Sequence, residues 1–598
     1  MVCLVLATPA FAATPQPTQF VLNAWDTSSG LPEETINSIA QTPDGFLWLA
    51  NANGLVRYDG SSFRTYQPRQ DLGGGVRQDI TRMGSAQDNS VWLHSRNLGL
   101  VRFRQGVFRR APELPPCSVT DIQEDRNGVL LICAERVLLI SGEQVRELTE
   151  VPLESANRIQ AATRDSDGFL WIGWSDGAVT RLGGPDASPV SYRVPAAVTT
   201  IVPAGSGRLW VGSRAGLALV EAGRVKVFTT ADGLPSNHIR KLTLSRDGFL
   251  WIGTTKGVAF QRDGKIELIS TLPAGWVTSL IEDREDNIWI AFTDLNLYRL
   301  RKPKFLTWGE PEGLPRDRPL AVTAAGDATW IAIGGGLWRL AAGELRRIPV
   351  PNEDVRFLEK AGDGRVWVQT EQQLYILEPA TSRLRRVDLP VPVSMCTLNP
   401  DRAGRMWIVT RTGLFVSDKD AVKPVPMEGL PALTGRTDLR QTSDGRLWLS
   451  INKLGLFELR DGKATPVSLG ADPELKRIFT SYIDSNDDFW FGLDGGGLAR
   501  WRKGRLARYG NKIGQPHNFV YHLGEDSEGY LWLGLRSGLV RLGKAELNAF
   551  LDGTSAAAPR ENYFDIDDGL RSFNFGGANR TLSSLTAGPV LWFPSLTG

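Results

Sequence analysis

The chain is poor in the residues from which metal centres and cross-linked scaffolds are built. Its 598 residues include only four Cys, four His and five Met. Four cysteines cannot hold together a scaffold of this size. The four histidines, His94, His238, His517 and His522, show neither metal-ligand spacing nor a partner Ser or Cys arrangement. No cofactor or metal is expected. Charge of one sign is also lacking: 68 Lys and Arg stand against 66 Asp and Glu, a net charge of +2. That balance gives no support for a nucleic-acid partner held by bulk charge. No run of about 18 or more apolar residues follows the N-terminus, so no membrane-spanning helix is expected.

Basic residues are missing from the start of the chain, the first being Arg57. An apolar segment, Met1 to Ala7, is followed by Ala10-Phe11-Ala12, a small-x-small pattern suited to cleavage before Ala13. The positive region of a signal peptide is absent. Residues 1–12 therefore read as a signal-peptide remnant whose start lies upstream of Met1, and Cys3 follows no proper lipobox. An exported, periplasmic protein is expected. Cleavage would leave Cys117, Cys133 and Cys396. Cys117 and Cys133 flank one predicted hairpin and could pair in an oxidising compartment. Two buried free thiols are the reading favoured from sequence.

What the chain has in quantity is glycine (63), tryptophan (19) and enough apolar residues (42%) for a large core. These recur with a period. Asp44-Gly45-Phe46-Leu47-Trp48-Leu49 returns as Asp167-Gly168-Phe169-Leu170-Trp171-Ile172-Gly173 and as Asp247-Gly248-Phe249-Leu250-Trp251-Ile252-Gly253, with looser copies at Trp367, Trp448 and Trp532. The repeated Trp falls at positions 48, 92, 171, 210, 251, 289, 330, 367, 407, 448, 490, 532 and 592, and Leu131 fills the gap before 171. Fourteen copies result, 37 to 44 residues apart except for a last step of 60 that carries an insertion between Lys544 and Asp568.

Each copy reads as four short strands. In the fourth, Arg158–Thr163, Phe169–Gly173, Ala178–Leu182 and Val190–Val194 follow one another, the first three separated by Asp-Gly turns, which tolerate positive φ. A four-stranded period of about 40 is the signature of a propeller blade. Fourteen blades divide as seven plus seven, near Lys302-Pro303-Lys304. The expected fold is all-β: two tandem seven-bladed β-propellers of four-stranded antiparallel blades, over residues 20–302 and 303–598, with the last blade incomplete. Open sheet edges must be hidden. Phe20 to Trp25, before Gly30-Leu31-Pro32, and Lys304 to Trp308, before Gly313-Leu314-Pro315, are each expected to close a ring as the outer strand of its seventh blade. The third strand of blade fourteen is expected after Trp592-Phe593-Pro594 and does not follow.

The repeat Asp-x-x-Gly-x-Leu-Trp-Ile-Gly-x-x-x-Gly-Leu, with its interspersed Gly-Leu-Pro, resembles the two-component regulator propeller repeat. The opening, Trp25 to Pro32, Gln41 to Leu49 and Asn53 to Gly60, is similar to the start of the periplasmic sensor region of bacterial receptors, and Asp568 to Ala578 resembles the family's last blade. The resemblance runs from Phe20 to Gly598. It implies two seven-bladed propellers followed by a β-sandwich, a membrane helix and a cytoplasmic output domain, a histidine kinase or a diguanylate cyclase. None of these last three lies within this chain. The resemblance thus implies a chain without enzymatic activity of its own, a small-molecule or oligosaccharide ligand, contact with the membrane only through the segment beyond Gly598, and a homodimer in the full-length receptor.

Other chemistry is weaker. Gly538 to Ala545 nearly spells a phosphate-binding loop, but it lacks the Ser or Thr that holds magnesium and lies on a blade strand and its exit, so it reads as coincidence. A propeller glycoside hydrolase or lyase would need two carboxylates about 5–9.5 Å apart in a cleft. Asp176, Asp294 and Asp494 occupy turns on a suitable face, but nothing singles out a pair. An interaction scaffold without signalling output is the other alternative.

Ligand-binding residues are expected on the loops joining strand four to the next strand one and strand two to strand three, which open on one face of a propeller. In the first ring they are Arg96, Trp174, Asp176, Arg214, His238, Lys256 and Trp276. In the second, Arg318, Arg411, Arg436, Lys453, Arg477, Asp494, His517 and Arg536 give a more basic rim. Carboxylates fork to Arg and sugar faces stack on Trp, which suits a polar, ring-shaped or acidic ligand.

Overall fold

The computed structural model describes residues 2–6, 20–72, 79–149, 157–182, 189–205, 207–262, 264–351, 354–393, 396–418, 421–470, 473–510, 519–572, 574–575 and 590–595. The chain divides into two compact units, Gln16–Lys302 and Met1–Pro15 with Pro303–Gly598.

The first unit consists of seven four-stranded antiparallel sheets. Each is a meander whose second strand carries the repeated Trp, or Leu131 in the third sheet. The fourth sheet comprises Ile159–Arg164, Leu170–Trp174, Ala178–Leu182 and Val190–Arg193, within about a residue of the sequence reading. First strands of successive sheets lie against one another, and that of the seventh, Val277–Glu282, lies against that of the first, Ser38–Gln41. The seventh sheet takes its outer strand from the start of the unit: Val21–Trp25 pairs antiparallel with Leu297–Arg301. Trp25 stacks on Trp289 with ring centroids 5.2 Å apart, so the seam also joins two aromatic rings.

The acidic residue of the repeat explains why these turns recur. Asp165, Asp283, Asp401, Asp484 and Asp526 each accept the indole N–H of the Trp six residues later, at 2.6–3.1 Å. The other carboxylate oxygen of each accepts two turn amides; for Asp283 these are Glu285 and Asn287 N–H. Thr42 and Thr442 take the same place with hydroxyls. One buried side chain thus closes the hairpin and satisfies a buried indole. These carboxylates belong to the scaffold.

The second unit holds six four-stranded sheets, from Pro319–Ala325 to Glu561–Phe564, and one three-stranded sheet. In the latter, Phe305–Trp308 and Val590–Pro594 flank Val2–Leu6 and both pair antiparallel with it. The segment read from sequence as leader is therefore a strand here, in the third-strand position. It fills that place because two ladder edges left one strand width apart are satisfied by any apolar extended segment within reach. The remainder of the leader reading, residues 7–12, lies outside the described residues.

Two expectations are corrected. Cys117 and Cys133 form a disulfide across the hairpin, with Cα atoms 5.4 Å apart, and Cys396 is a buried thiol. The antiparallel strands bring the two cysteines to neighbouring positions, as spacing alone could not establish. The bridge closes a separation of 16 residues, so reduction or Cys117→Ser is expected to destabilise the first unit by about 3 kcal/mol. A thermal melt with and without reductant reads this. The insertion after Lys544 forms a helix, Lys544–Leu551, between the third and fourth strands of a sheet. A helix thus does follow the phosphate-loop look-alike. However, Leu539–Gly543 is a paired strand, and Lys544 Nζ is bound to Glu525 (2.6 Å) and Asp484 (3.4 Å). The lysine is therefore not available to a phosphate.

Candidate functional site

In each sheet the loop entering strand one lies beside the loop joining strands two and three. A backbone bond repeats between them: Ser175 N–H to Arg158 O (2.9 Å), Thr255 N–H to His238 O (3.2 Å) and Thr293 N–H to Trp276 O (2.9 Å). These loops form one mouth of the first unit, and most of the expected residues sit there. Arg96, Asp176, Arg214 and Lys256 are exposed, His238 is half-buried, and Trp276 is 54% exposed.

Trp174 does not belong to this mouth. It ends a strand in which every residue is buried, and its indole N–H donates to Thr180 Oγ1 at 3.0 Å. Its position after the second strand placed it on a loop in sequence, whereas the neighbouring sheet covers it. Asp176 is exposed but committed, accepting from Arg193 at 3.1 Å and from Ala178 N–H at 2.9 Å. Asp294 accepts from Thr35 at 2.8 Å, and Asp494 from Arg477 at 2.7 Å. The turn carboxylates weighed for hydrolysis therefore already have partners.

Loop reasoning missed the first strands. Most of these strands carry a bulge after their first residue, which turns one side chain towards the mouth. In the first unit that residue is usually Thr or an amide, and it commonly ties sheet to sheet. Thr199 Oγ1 donates to Ile239 O (2.8 Å) and Thr278 Oγ1 to Ile36 O (2.6 Å); in the first sheet, which has no bulge, Asn37 just before strand one donates Nδ2 to Ile80 O (2.8 Å). In the sixth sheet the residue is Arg240, which makes no such bond. Its guanidinium lies 5.6 Å from the centroid of the Trp276 ring.

Other cations surround it. Burial, then Arg82 and Arg214, holds Arg240 below the usual guanidinium range. Burial, then Arg240 and Arg214, lowers His238. Burial, then Arg82 and Arg96, lowers His94, whose Nδ1 meets Thr81 Oγ1 at 2.9 Å. Arg82 is anchored by its Nε to Thr120 O (2.6 Å) and Lys241 reaches Asp121 at 3.8 Å, so first strands of the second, third and sixth sheets meet across the centre. The structure thus joins the expected Arg214, His238 and Trp276 to the unexpected Arg82 and Arg240. The sequence signal was the break in pattern: Ile239-Arg240 stands where Val198-Thr199 and Val277-Thr278 stand elsewhere.

In the second unit the bulge residues of two adjacent sheets are Phe479 and Tyr521. Their rings meet edge-on at 4.7 Å, Phe519 stacks on Tyr521 at 6.3 Å, and Arg436 lies 3.9 Å over Phe479. The expected basic rim is therefore partly an aromatic platform, with Arg436 on it and the Arg477–Asp494 pair exposed beside it. Arg318, Arg411, Lys453 and Arg536 are exposed, and His517 lies outside the described residues.

Behind Tyr521, His522 is buried and its Nε2 meets Phe575 O at 3.0 Å. Burial, then Arg436, pushes its pKa down to about 3. Above the unfolded value of about 6.5 the folded state loses nothing. Below it the unfolded chain binds the extra proton, and stability falls until the pH reaches about 3. A loss of about 2 kcal/mol is expected by pH 5, and a flatter slope in His522→Gln, measured by urea unfolding across that range.

A cavity of about 680 Å³ lies elsewhere in the first unit, on outer strands and lined by Lys226, Phe228, Arg262 and Glu267. Arg262 and Glu267 pair with each other at 3.2 Å. The cavity presents no convergent free groups, and the mouth remains the stronger candidate. Among the described residues no group of His, Cys, Asp and Glu could hold a metal, and no helix is long and apolar enough to cross a membrane.

Comparison with known proteins agrees with the repeat reading. The two-component regulator propeller model matches residues 30–53, 233–256, 271–294 and 514–537. No curated protein matches the chain. Among solved structures, the chain is similar to the extracellular domain of the putative hybrid two component system BT3049 from B. thetaiotaomicron, at 20% identity and a TM-score of 0.70, over 97% of this chain and 82% of that one. It also matches the extracellular domain of the BT4673 system of the same organism, at 15% identity and a TM-score of 0.42, over 91% and 78%.

Proposed function

From a chain that carries two-component regulator propeller repeats, we propose the ligand-sensing region of a bacterial signalling receptor, working outside the cytoplasm. Each unit is a seven-bladed propeller. The chain binds an extracellular small molecule or oligosaccharide and, in a longer receptor, biases a cytoplasmic cyclase or kinase. The observation that carries this reading is the departure at the strand-one bulge. A position filled by Thr in most blades of the first unit becomes Arg240 there, and the second unit places Phe479 and Tyr521 at it. A scaffold with no ligand needs no such break, whereas a binding site on a rigid frame does.

A thermal-shift screen of the purified chain against sugars, oligosaccharides and organic acids tests it. A hit is expected whose affinity falls in Trp276→Ala or in Tyr521→Ala. Hits indifferent to substitutions at both mouths would sink the reading. Signalling further requires that the ligand bind two arrangements of the receptor unequally.

A further inference from the structure

Resting on that reading, we propose that the mouth of the first unit is an oxyanion site. Arg240 and Arg214, with Arg82 behind them, take the carboxylate or sulfate of a small ligand whose ring lies against Trp276.

The charge at this mouth is unbalanced. Among the described residues neither Arg214 nor Arg240 is in an ion pair, and the Arg240 Nε is buried without a hydrogen-bond partner. The cations come from separate sheets: Arg82 from the second, Arg214 from the fifth, Arg240 from the sixth. Three acids of the first unit's loops and strands are already paired with other cations. Asp121 faces Lys241 at 3.8 Å, Glu135 faces Arg158 at 3.6 Å, and Asp176 faces Arg193 at 3.1 Å. The charges acting on Arg240 and His238 are all cationic. A protein gathers like charges at a half-buried site against their repulsion, and an anion between them relieves it.

The second observation is Trp276, among the most exposed large apolar side chains described. Its neighbour Arg240 lies over it at 5.6 Å. An indole face beside guanidinium forks fits a molecule with a flat or pyranose face and an acidic substituent. Because guanidinium groups read carboxylate and sulfate by the same fork, the shared chemistry is the oxyanion.

Calorimetric titration of the whole chain at low ionic strength with glucuronate, glucose and sodium sulfate separates the parts. Glucuronate is expected to bind about tenfold or more tightly than glucose, with sulfate competing. Arg240→Met, and independently the exposed Arg214→Gln, should each weaken glucuronate about tenfold while leaving glucose unchanged. Trp276→Ala should weaken the sugars and spare sulfate. If glucose and glucuronate bind alike, and Trp276→Ala alone weakens them, the oxyanion assignment falls while ligand sensing at this mouth stands. If both arginine variants retain glucuronate affinity, or no probe binds at about 50 mM, the assignment also falls; the screen described above judges the broader reading separately.

Discussion

Asp283→Ala is expected to destabilise the first unit by about 3–5 kcal/mol, since several buried donors lose their acceptor at once. Asp283 is 4% exposed and takes four hydrogen bonds: Glu285 and Asn287 N–H, the Asn287 amide and the Trp289 indole at 2.6 Å. Alanine offers no acceptor, so the indole and the turn amides lose their partner together. The position matters further because Trp289 stacks on Trp25, the aromatic pair at the ring seam. Loosening the turn loosens the closure. Asp283→Asn keeps an acceptor and should lose clearly less. Urea unfolding followed by Trp fluorescence measures both. An alanine variant within about 1 kcal/mol of the parent would show that the turn holds by backbone alone.

Gly253→Val should cost about 3 kcal/mol or more through overpacking, whereas Gly248→Asn, five residues earlier, should cost about 1 kcal/mol or less. The two glycines serve different purposes. Gly248 has φ +87° and nothing within 4 Å of a would-be Cβ, so it is there for the turn, and Asn tolerates that conformation. Gly253 has no positive φ, but a Cβ on it would stand 2.7 Å from Val277 Cγ1 on the first strand of the next sheet. It is there for the close approach of sheets around the ring. Equal costs for both substitutions would contradict this division. Circular dichroism melts of the two variants make the comparison.

The repeat itself contained much of this fold. A buried Trp, a turn acid six residues before it and a glycine behind it recur because each meets a need that every sheet has: an indole to cap, a hairpin to close, a neighbour to admit. Periodicity therefore placed the second strands correctly, even at Leu131, and composition excluded metal chemistry and bulk-charge binding as expectations. The closing strand Val21–Trp25 was legible because an open sheet edge has to be paired.

Contacts between residues distant in sequence were not legible. Trp174 looked like a loop tryptophan until the adjacent sheet covered it. The pairing of Cys117 with Cys133 depended on strand register. The site was half visible: Arg214, His238 and Trp276 stood on loops, where variation is conspicuous. Arg82 and Arg240 were hidden in first strands, whose alternation looks like ordinary scaffold. A bulge of one residue turns Arg240 from the ladder to the mouth, and Arg82 is the ladder residue just after such a bulge; only the paired strands reveal either. Sequence alone thus determined the repeated unit, because its interactions are local and copied. The tertiary structure decided which odd residues face one another, because ring closure brings together residues from Arg214 and Arg240, 26 positions apart, to Arg82 and Arg240, 158 apart.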